Sequence, residues 1–559
     1  MSLIASFDPG RYLRYAEMTA LLQELASAYP ALCQLEEIGR SAEGRAIWAV
    51  TLTNTGTGPA AEKPGYLVDA NTHAGEVTGG AAALYTIHHL LTRYGEDPVA
   101  TEILDTRAFY VVPRIAVDGV ERYLSSPTLL RSSPKLYPLT EEPPGFYARD
   151  MDGDGRILQM RMRHPEGDWK ADEQDPRLMV QRRPEEREGT FYRLFTEGEI
   201  KDWDGKAIPP LRRPYGLDFN RNYPAFWNPE GKQPGAGPYP LSEPETRALA
   251  TFLLSHPNIG AYVAYHTTGG VLLRPPSNGA DEKMNQADLE SFKRIGELCT
   301  RVTGYPCKST YEAFHYPGQE ALVKGADDWS YEHLGVQGFT FELWDLEGRA
   351  GARGYAQIGV KGLLKLSQEE LVEDGRKLLK YNDAALGGKG FIDWTPFEHP
   401  QLGPVEIGGW DPKFADQNPP EGPLLVEEVT RAAAFTLQHC LALPRLAFGK
   451  VEAKPVGGGI YELTVAVRNT GYLPTNVTEM AVQQKRSTGV KLALEGAELV
   501  AQRGAEVRNG RLELGEIPGW GKSSERWVTL AIRGRAGAIV TLTARHDRAG
   551  LVRATVELR

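Results

Sequence analysis

Residues 65–76 read GYLVDANTHAGE: an apolar run from Gly65 to Ala70 breaks into a polar turn that ends at Glu76. A run of this length bounded by turn residues predicts a short buried strand. At the strand's end it delivers His73 and Glu76, three positions apart, both of types that bind a borderline metal such as zinc. Two ligands are half a site. Taken alone, the HxxE spacing is equally the reading of a polar strand-end loop, so its meaning depends on the rest of the chain.

Outward from this stretch the same texture recurs. Strand-like runs lie at 46–52, 108–112, 259–265 and 338–343, and helical periodicity at 11–28, 79–94, 243–255 and 288–302. Strands alternating with helices predict an α/β fold, a sheet with helices on both faces. The 259–265 run ends at His266, a third ligand at the same kind of terminus, and catalytic zinc needs three protein ligands with a fourth position open. The 339–343 run, FTFEL, sets Glu342 in an apolar strand. An unpaired buried carboxylate is costly, so Glu342 is either paired within the structure or placed for proton transfer. In residues 216–223, GLDFNRNY, Asn220 and Arg221 sit side by side, and the fork of a guanidinium suits a substrate carboxylate.

The 559 residues carry a formal charge of −10, which argues against a nucleic-acid partner. At roughly 150 residues per domain this length allows about three domains. The four cysteines, Cys33, Cys299, Cys307 and Cys440, have no CxxC spacing and read as buried thiols in a reducing compartment. No run reaches the roughly 18 apolar residues of a membrane span, and residues 1–15 lack the apolar core of a signal peptide. The expectation is a cytoplasmic protein without a membrane partner, or a secreted one if a signal peptide has been removed. Oligomeric state has no signature in the sequence.

Three further regions stand out. Residues 132–215 lose periodicity in a Pro-, Arg- and Asp-rich stretch too long for an ordinary loop, which predicts an insertion with structure of its own. Within it, Asp150, Asp152 and Asp154 form the DxDxDG start of a calcium loop, although the twelfth position is Arg161 rather than Glu; a structural Ca²⁺ site and a solvated turn are both open readings. Residues 424–443 form an amphipathic helix that closes a first domain, 1–445. Beyond it, runs at 461–467, 511–516, 527–532, 538–544 and 552–558 predict an antiparallel β-sandwich, 446–559.

The pieces HxxE, NRN, strand-end His and FTFEL, in this order, resemble the zinc metallocarboxypeptidase family (carboxypeptidase A/B-like) over roughly residues 11–443. The resemblance implies a mixed central sheet and one catalytic Zn²⁺ held by His73, Glu76 and His266. It implies Glu342 as general base and acid, Asn220 and Arg221 as holders of the free C-terminal carboxylate of a peptide substrate, and Asp218 as the carboxylate that orients a zinc-bound histidine. Residues 113–130 look like the family's Asn-Pro-Asp-Gly segment with Asn and Pro replaced. Thirteen positions after Asp118, Arg131 has the spacing of the arginine that polarises the scissile carbonyl. Tyr316, ahead of Tyr311, matches the family's mobile tyrosine across an extra segment. Asp327 matches the residue at the base of the pocket for the C-terminal side chain, where carboxypeptidase B-like members carry an acid that pairs with Lys or Arg. The alternative for Asp327 is an internal pair with Arg131 or Arg163.

One departure bears on substrate. Digestive members have Arg immediately before the ligand Glu, and here that position is Gly75. The leading expectation is hydrolysis of a C-terminal peptide bond, with basic C-terminal residues preferred. Amidase or γ-glutamyl peptidase action on cell-wall peptides is the enzymatic alternative, and a non-catalytic peptide-binding module the alternative of another class. The insertion is expected to narrow the cleft.

Overall fold

A computed structural model describes residues 2–314, 325–508, 511–521 and 523–559. Its main sheet has eight strands, β1 (Cys33–Arg40), β2 (Ala46–Leu52), β3 (Gly65–Ala70), β4 (Ala108–Val112), β5 (Ile259–Thr267), β6 (Val271–Arg274), β7 (Cys307–Ser309) and β8 (Gln337–Leu343), in the order β1-β2-β4-β3-β5-β8-β6-β7. The centre, β4-β3-β5-β8, is parallel; β1, β2 and the β8–β6 contact are antiparallel. The sheet is therefore mixed, as expected.

The central strands are apolar on both faces because both faces are covered. Tyr66, Val68, Phe109, Val111, Val263 and Phe341 pack one way, against helices Val77–Thr92, Gln286–Thr303 and Pro423–Leu441. Leu67, Tyr110, Val112, Tyr262 and Ala264 pack the other way, against helices Pro244–Ser255 and Ala326–Leu334. Four polar residues of these strands, Asp69, His266, Thr340 and Glu342, belong to the second face, at or near the carboxyl ends where open α/β sheets form their crevices.

The insertion folds around a small core of its own, Phe146, Leu158, Met160 and Ile200 with Val405 and Ile407. Its strand Gln159–Arg163 pairs with Tyr192–Thr196 on one side and with Gly403–Trp410 on the other, and Phe391–His399 completes that side of a six-stranded sheet. The inserted segment thus shares its sheet with a hairpin more than 200 positions downstream, a pairing that local periodicity does not encode.

From Leu446 onward two antiparallel sheets of four and five strands enclose Leu463, Val465, Leu492, Leu530 and Leu542. The strands Leu446–Gly457, Val490–Glu495 and Glu498–Arg503 lie outside the runs read from sequence. The first carries Pro455 and two glycines and is largely exposed at its end, and the third buries none of its residues, so neither shows a clean alternation. The sandwich is fastened to the α/β region by polar contacts: Asp288 accepts the amides of Glu479 and Met480, and buried Arg548 donates to the carbonyls of Gly335 and Leu334. All four cysteines are free, and among the described residues no helix is long and apolar enough to cross a membrane.

Candidate metal centre and substrate cavity

His73 and Glu76 leave the end of β3, and His266 lies in β5 beside it. The three side chains are buried and their ligand atoms all lie within 4.8 Å of one another. His73 Nδ1 is 2.7 Å from Glu76 Oε1, His266 Nδ1 is 2.8 Å from Glu76 Oε2, and the two Nδ1 atoms are 3.1 Å apart. Burial alone would push the Glu76 carboxyl up, but the two imidazoles outweigh it and hold it well below the ordinary carboxylate range. Two imidazole nitrogens and a carboxylate converging in a dry site form a His₂Glu set, which suits zinc with one position left open. The residues present fit the metal.

The far side of His73 is fixed as well. Its Nε2 is 3.0 Å from Asp218 Oδ1, so a carboxylate sets the ring's orientation and leaves Nδ1 toward the cluster. Asp218 also caps the turn Phe219–Arg221 by accepting the Asn220 amide, and receives Arg131 Nε at 3.1 Å. Burial disfavours its charge, but Arg221, Arg131 and His73 keep its carboxyl well below the usual range. Arg131 reaches Glu76 Oε1 at 3.2 Å with its other arm. Its segment is wedged between the two functional loops: the Arg131 carbonyl accepts the Ala74 amide, and Ser132 Oγ donates to the Thr72 carbonyl while accepting the Phe219 amide.

Glu342 is the register partner of His266 across the β5–β8 ladder, which explains why the two come together from positions 76 apart. Burial is the largest influence on its carboxyl, which is pushed up to about 8, with Glu76 and Asp327 adding to the shift and His266 and Arg131 opposing it. Glu342 is not fully enclosed, because it faces a cavity of about 170 Å³ lined also by His73, Arg131, Asn220, Arg221 and Asp327. Gly325 lets Asn220 approach the helix Ala326–Leu334, since a Cβ at this position would lie 2.1 Å from Asn220 Oδ1. Leu273, Phe314, Thr310 and Thr340 complete much of the wall. Asp327 is buried and accepts Thr340 Oγ1 at 2.8 Å. Arg131 is committed to Asp218 and Glu76 instead, and among the described residues no Lys or Arg forms an ion pair with Asp327.

The other sequence expectations fare differently. Tyr316 lies outside the described residues; Tyr311 lies in the first turn of the helix Thr310–Phe314 and has the Lys361 ammonium over its ring. The acidic loop brings Asp150 and Asp152 together with Glu197, not with Asp154, whose carboxylate pairs with Arg156. Glu197 in turn accepts the amides of Met151 and Leu158. None of residues 132–215 lines the cavity, so the expected narrowing of this space by the insertion is not seen: the insertion spends its apolar surface on its own sheet and on the 391–410 hairpin.

Two features had no sequence signal. Asp69 in β3 is fully buried with Oδ2 accepting Tyr262 Oη at 2.7 Å, and burial pushes its carboxyl up to about 6. The position of Gly75 is enclosed by residues from far along the chain: a Cβ there would lie 2.6 Å from Gln417 Oε1 and 3.0 Å from the Tyr123 ring. The space next to the ligand carboxylate is filled by another part of the protein, and only the fold reveals it.

Residues 18–357 match the family described as zinc carboxypeptidase, and the chain belongs to that family. Residues 445–557 match a second family described only as a domain of unknown function. Mast cell carboxypeptidase A of Homo sapiens is 24% identical over 353 residues, covering 60% of this chain and 65% of that protein. Carboxypeptidase B of Homo sapiens is 25% identical over 354 residues, covering 61% and 64%. The chain thus spans a little under two thirds of the length of these relatives. Among solved structures, carboxypeptidase A from Helicoverpa armigera shares 17% identity at a TM-score of 0.39, covering 68% of this chain and 76% of that one.

Proposed function

We propose that the protein is a zinc-dependent carboxypeptidase that removes Lys or Arg from peptide C-termini. The observation that carries the basic preference is Asp327, a buried carboxylate on the cavity wall with no cationic partner among the described residues. Leaving a charge desolvated and unpaired is costly, and a substrate ammonium or guanidinium relieves that cost.

His73, Glu76 and His266 would hold the zinc, which when bound would supply Lewis acidity toward the scissile carbonyl and the attacking water. Glu342 takes a proton on its carboxylate from the attacking water and returns it to the leaving amine. Arg131 offers its guanidinium to the oxygen that gains negative charge, a stabilisation that acts mainly in the transition state. Asn220 and Arg221, side by side on the cavity wall, receive the terminal carboxylate. Asp218 keeps His73 from rotating away.

The test is kcat/KM of the zinc-loaded protein on peptides matched except for a terminal Arg, Lys, Phe or Leu. Arg and Lys should exceed Phe by about 10²-fold or more, the scale expected for a desolvated ion pair. Asp327→Ile should lose that advantage and favour Phe. Equal rates for Arg and Phe, or an unchanged order in the variant, would refute the basic preference.

A second reading, amidase or γ-glutamyl peptidase action on cell-wall peptides, is favoured by Gly75: with Gln417 and Tyr123 in its space, no arginine there can grip an extended peptide. Faster release from γ-linked than from α-linked peptides would select it.

A further inference from the structure

The helix Val77–Thr92 begins immediately after Glu76, which occupies its N-cap position. First-turn amides of a helix have no partner within it, and a cap side chain normally satisfies one of them. Glu76 makes no cap hydrogen bond, because its carboxylate is turned to the two histidines. The helix that carries the metal ligand therefore starts without a cap of its own.

The missing group comes from Asn418, 340 positions along the chain. It is fully buried and uses both ends of its amide. Its Oδ1 accepts the Thr78 amide at 3.1 Å and Thr78 Oγ1 at 2.9 Å, while its Nδ2 donates to the carbonyls of Gly75 at 2.7 Å and Lys413 at 3.0 Å. One side chain thus grips the ligand loop on either side of Glu76 and ties it to the turn 412–417. That turn is itself held, with Asp411 accepting the amides of Lys413 and Phe414, and with buried Lys413 donating to the carbonyls of Tyr123 and Ser126. The neighbouring Pro419 carbonyl accepts Tyr12 Oη, which also lies 3.3 Å from Thr78 Oγ1.

We infer that Asn418 is a positioning residue for the metal centre: by capping the helix in place of Glu76 it frees the Glu76 carboxylate to face His73 and His266. The inference rests on the metal reading of those three residues. Asn418 lies beyond residues 18–357, where the zinc carboxypeptidase match ends. Partners that orient ligands in this way are typically worth about 10–100-fold in metal affinity.

The experiment compares Asn418→Ala with wild type and with Asn382→Ala, which removes an equally buried amide that accepts the Gly390 amide at 2.8 Å away from the ligand loop. Hydrogen exchange of the metal-free chain is read first. The peptide spanning residues 75–79 should exchange at least tenfold faster in Asn418→Ala and as in wild type in Asn382→Ala. Zinc affinity, measured by competition with a chromogenic chelator, should fall about 10–100-fold in Asn418→Ala alone. Asn418→Asp keeps the acceptor for Thr78 but turns the donor facing Gly75 and Lys413 into an acceptor, and should fall between. Unchanged exchange and affinity in Asn418→Ala, or equal losses in Asn382→Ala, would overturn the inference. If wild type itself binds no zinc, the proposed function fails, while the exchange of residues 75–79 still decides whether Asn418 holds the loop.

Discussion

Two acidic clusters in this molecule are built to opposite plans. In the sandwich, Glu516 is half-buried and both of its carboxylate oxygens are bonded. Oε1 receives Ser487 Oγ and the Gly489 amide, and Oε2 receives Thr475 Oγ1 and lies 3.2 Å from His546 Nε2. Around the metal centre the protein leaves buried polar atoms without a protein partner: Asp69 Oδ1, Asn71 Oδ1, Tyr223 Oη, His266 Nε2 and Thr267 Oγ1. From Leu446 onward only Arg548 Nε shares that condition among the described residues. Elsewhere in the α/β region Arg107, Arg114, Glu245 and Arg349 also keep unpartnered buried atoms, so the contrast is between that region as a whole and the sandwich. Buried polar groups are almost always hydrogen-bonded, and each exception calls for a reason besides stability. Satisfied acids hold a fold together; the unsatisfied atoms of Asp69, Asn71, Tyr223, His266 and Thr267 lie on the strands and loops that carry the metal-site residues, behind the cavity rather than on its wall.

The comparison breaks first, and with the largest effect, at Glu342. If it serves proton transfer rather than structure, Glu342→Gln should fold, retain zinc and lose at least about 10²–10⁴ in kcat. His266→Ala should lose zinc and activity together, since two ligands do not complete the site. Zinc content by atomic emission, read beside kcat for both variants, separates the roles. A Glu342→Gln protein that keeps a tenth of wild-type turnover, or one that unfolds, would return Glu342 to the structural reading.

The order of the chemistry along the chain was legible because strand ends are local. The apolar runs ending at His73, His266 and Glu342 are visible as strings, and the register that sets His266 opposite Glu342 follows from two parallel strands of ordinary length. What escaped is non-local. Asn418 and Gln417 reach the ligand loop from 340 positions away, Glu197 meets Asp150 and Asp152 across the insertion, and strand Gln159–Arg163 pairs with Gly403–Trp410. No period of 2 or 3.6 residues encodes such contacts. The strand Glu498–Arg503 escaped for a different reason: only Leu499 packs partly against the core and no residue is fully buried, so there is no clear alternation to read.

A smaller effect tests the sandwich half of the comparison. Burial raises the Glu516 carboxyl, but His546, Thr475 and Ser487 outweigh it, and the group settles at about 2 against an ordinary 4.5. A depressed folded-state value stabilises the fold fully above the unfolded-state value, and that stability is lost as pH falls from about 4.5 toward 2. At neutral pH the contribution is at most about 3 kcal/mol. Glu516→Gln should therefore be less stable than wild type at pH 7 in denaturant unfolding, with the gap closing as pH drops through that window. A gap that is constant down to pH 3 would show that packing, not charge, accounts for it.

The smallest expected effect has the opposite sign. Tyr223 is fully buried, its ring stacked on Trp329 with centroids 5.9 Å apart, yet its hydroxyl has no partner among the described residues. The stacking explains why an aromatic ring is there; nothing in the packing explains the oxygen. An unpaired buried hydroxyl costs about 1–3 kcal/mol relative to the same group in water, and removing it leaves the ring contact intact. Tyr223→Phe should accordingly raise stability by about 1 kcal/mol, whereas the same operation on a bonded group, Thr475→Val beside Glu516, should lower it. Denaturant midpoints of the two variants carry the test. A Tyr223→Phe protein less stable than wild type would mean that the hydroxyl has a stabilising role in the fold, and the contrast between a closed sandwich cluster and an open catalytic one would then fail at the residue where it is sharpest.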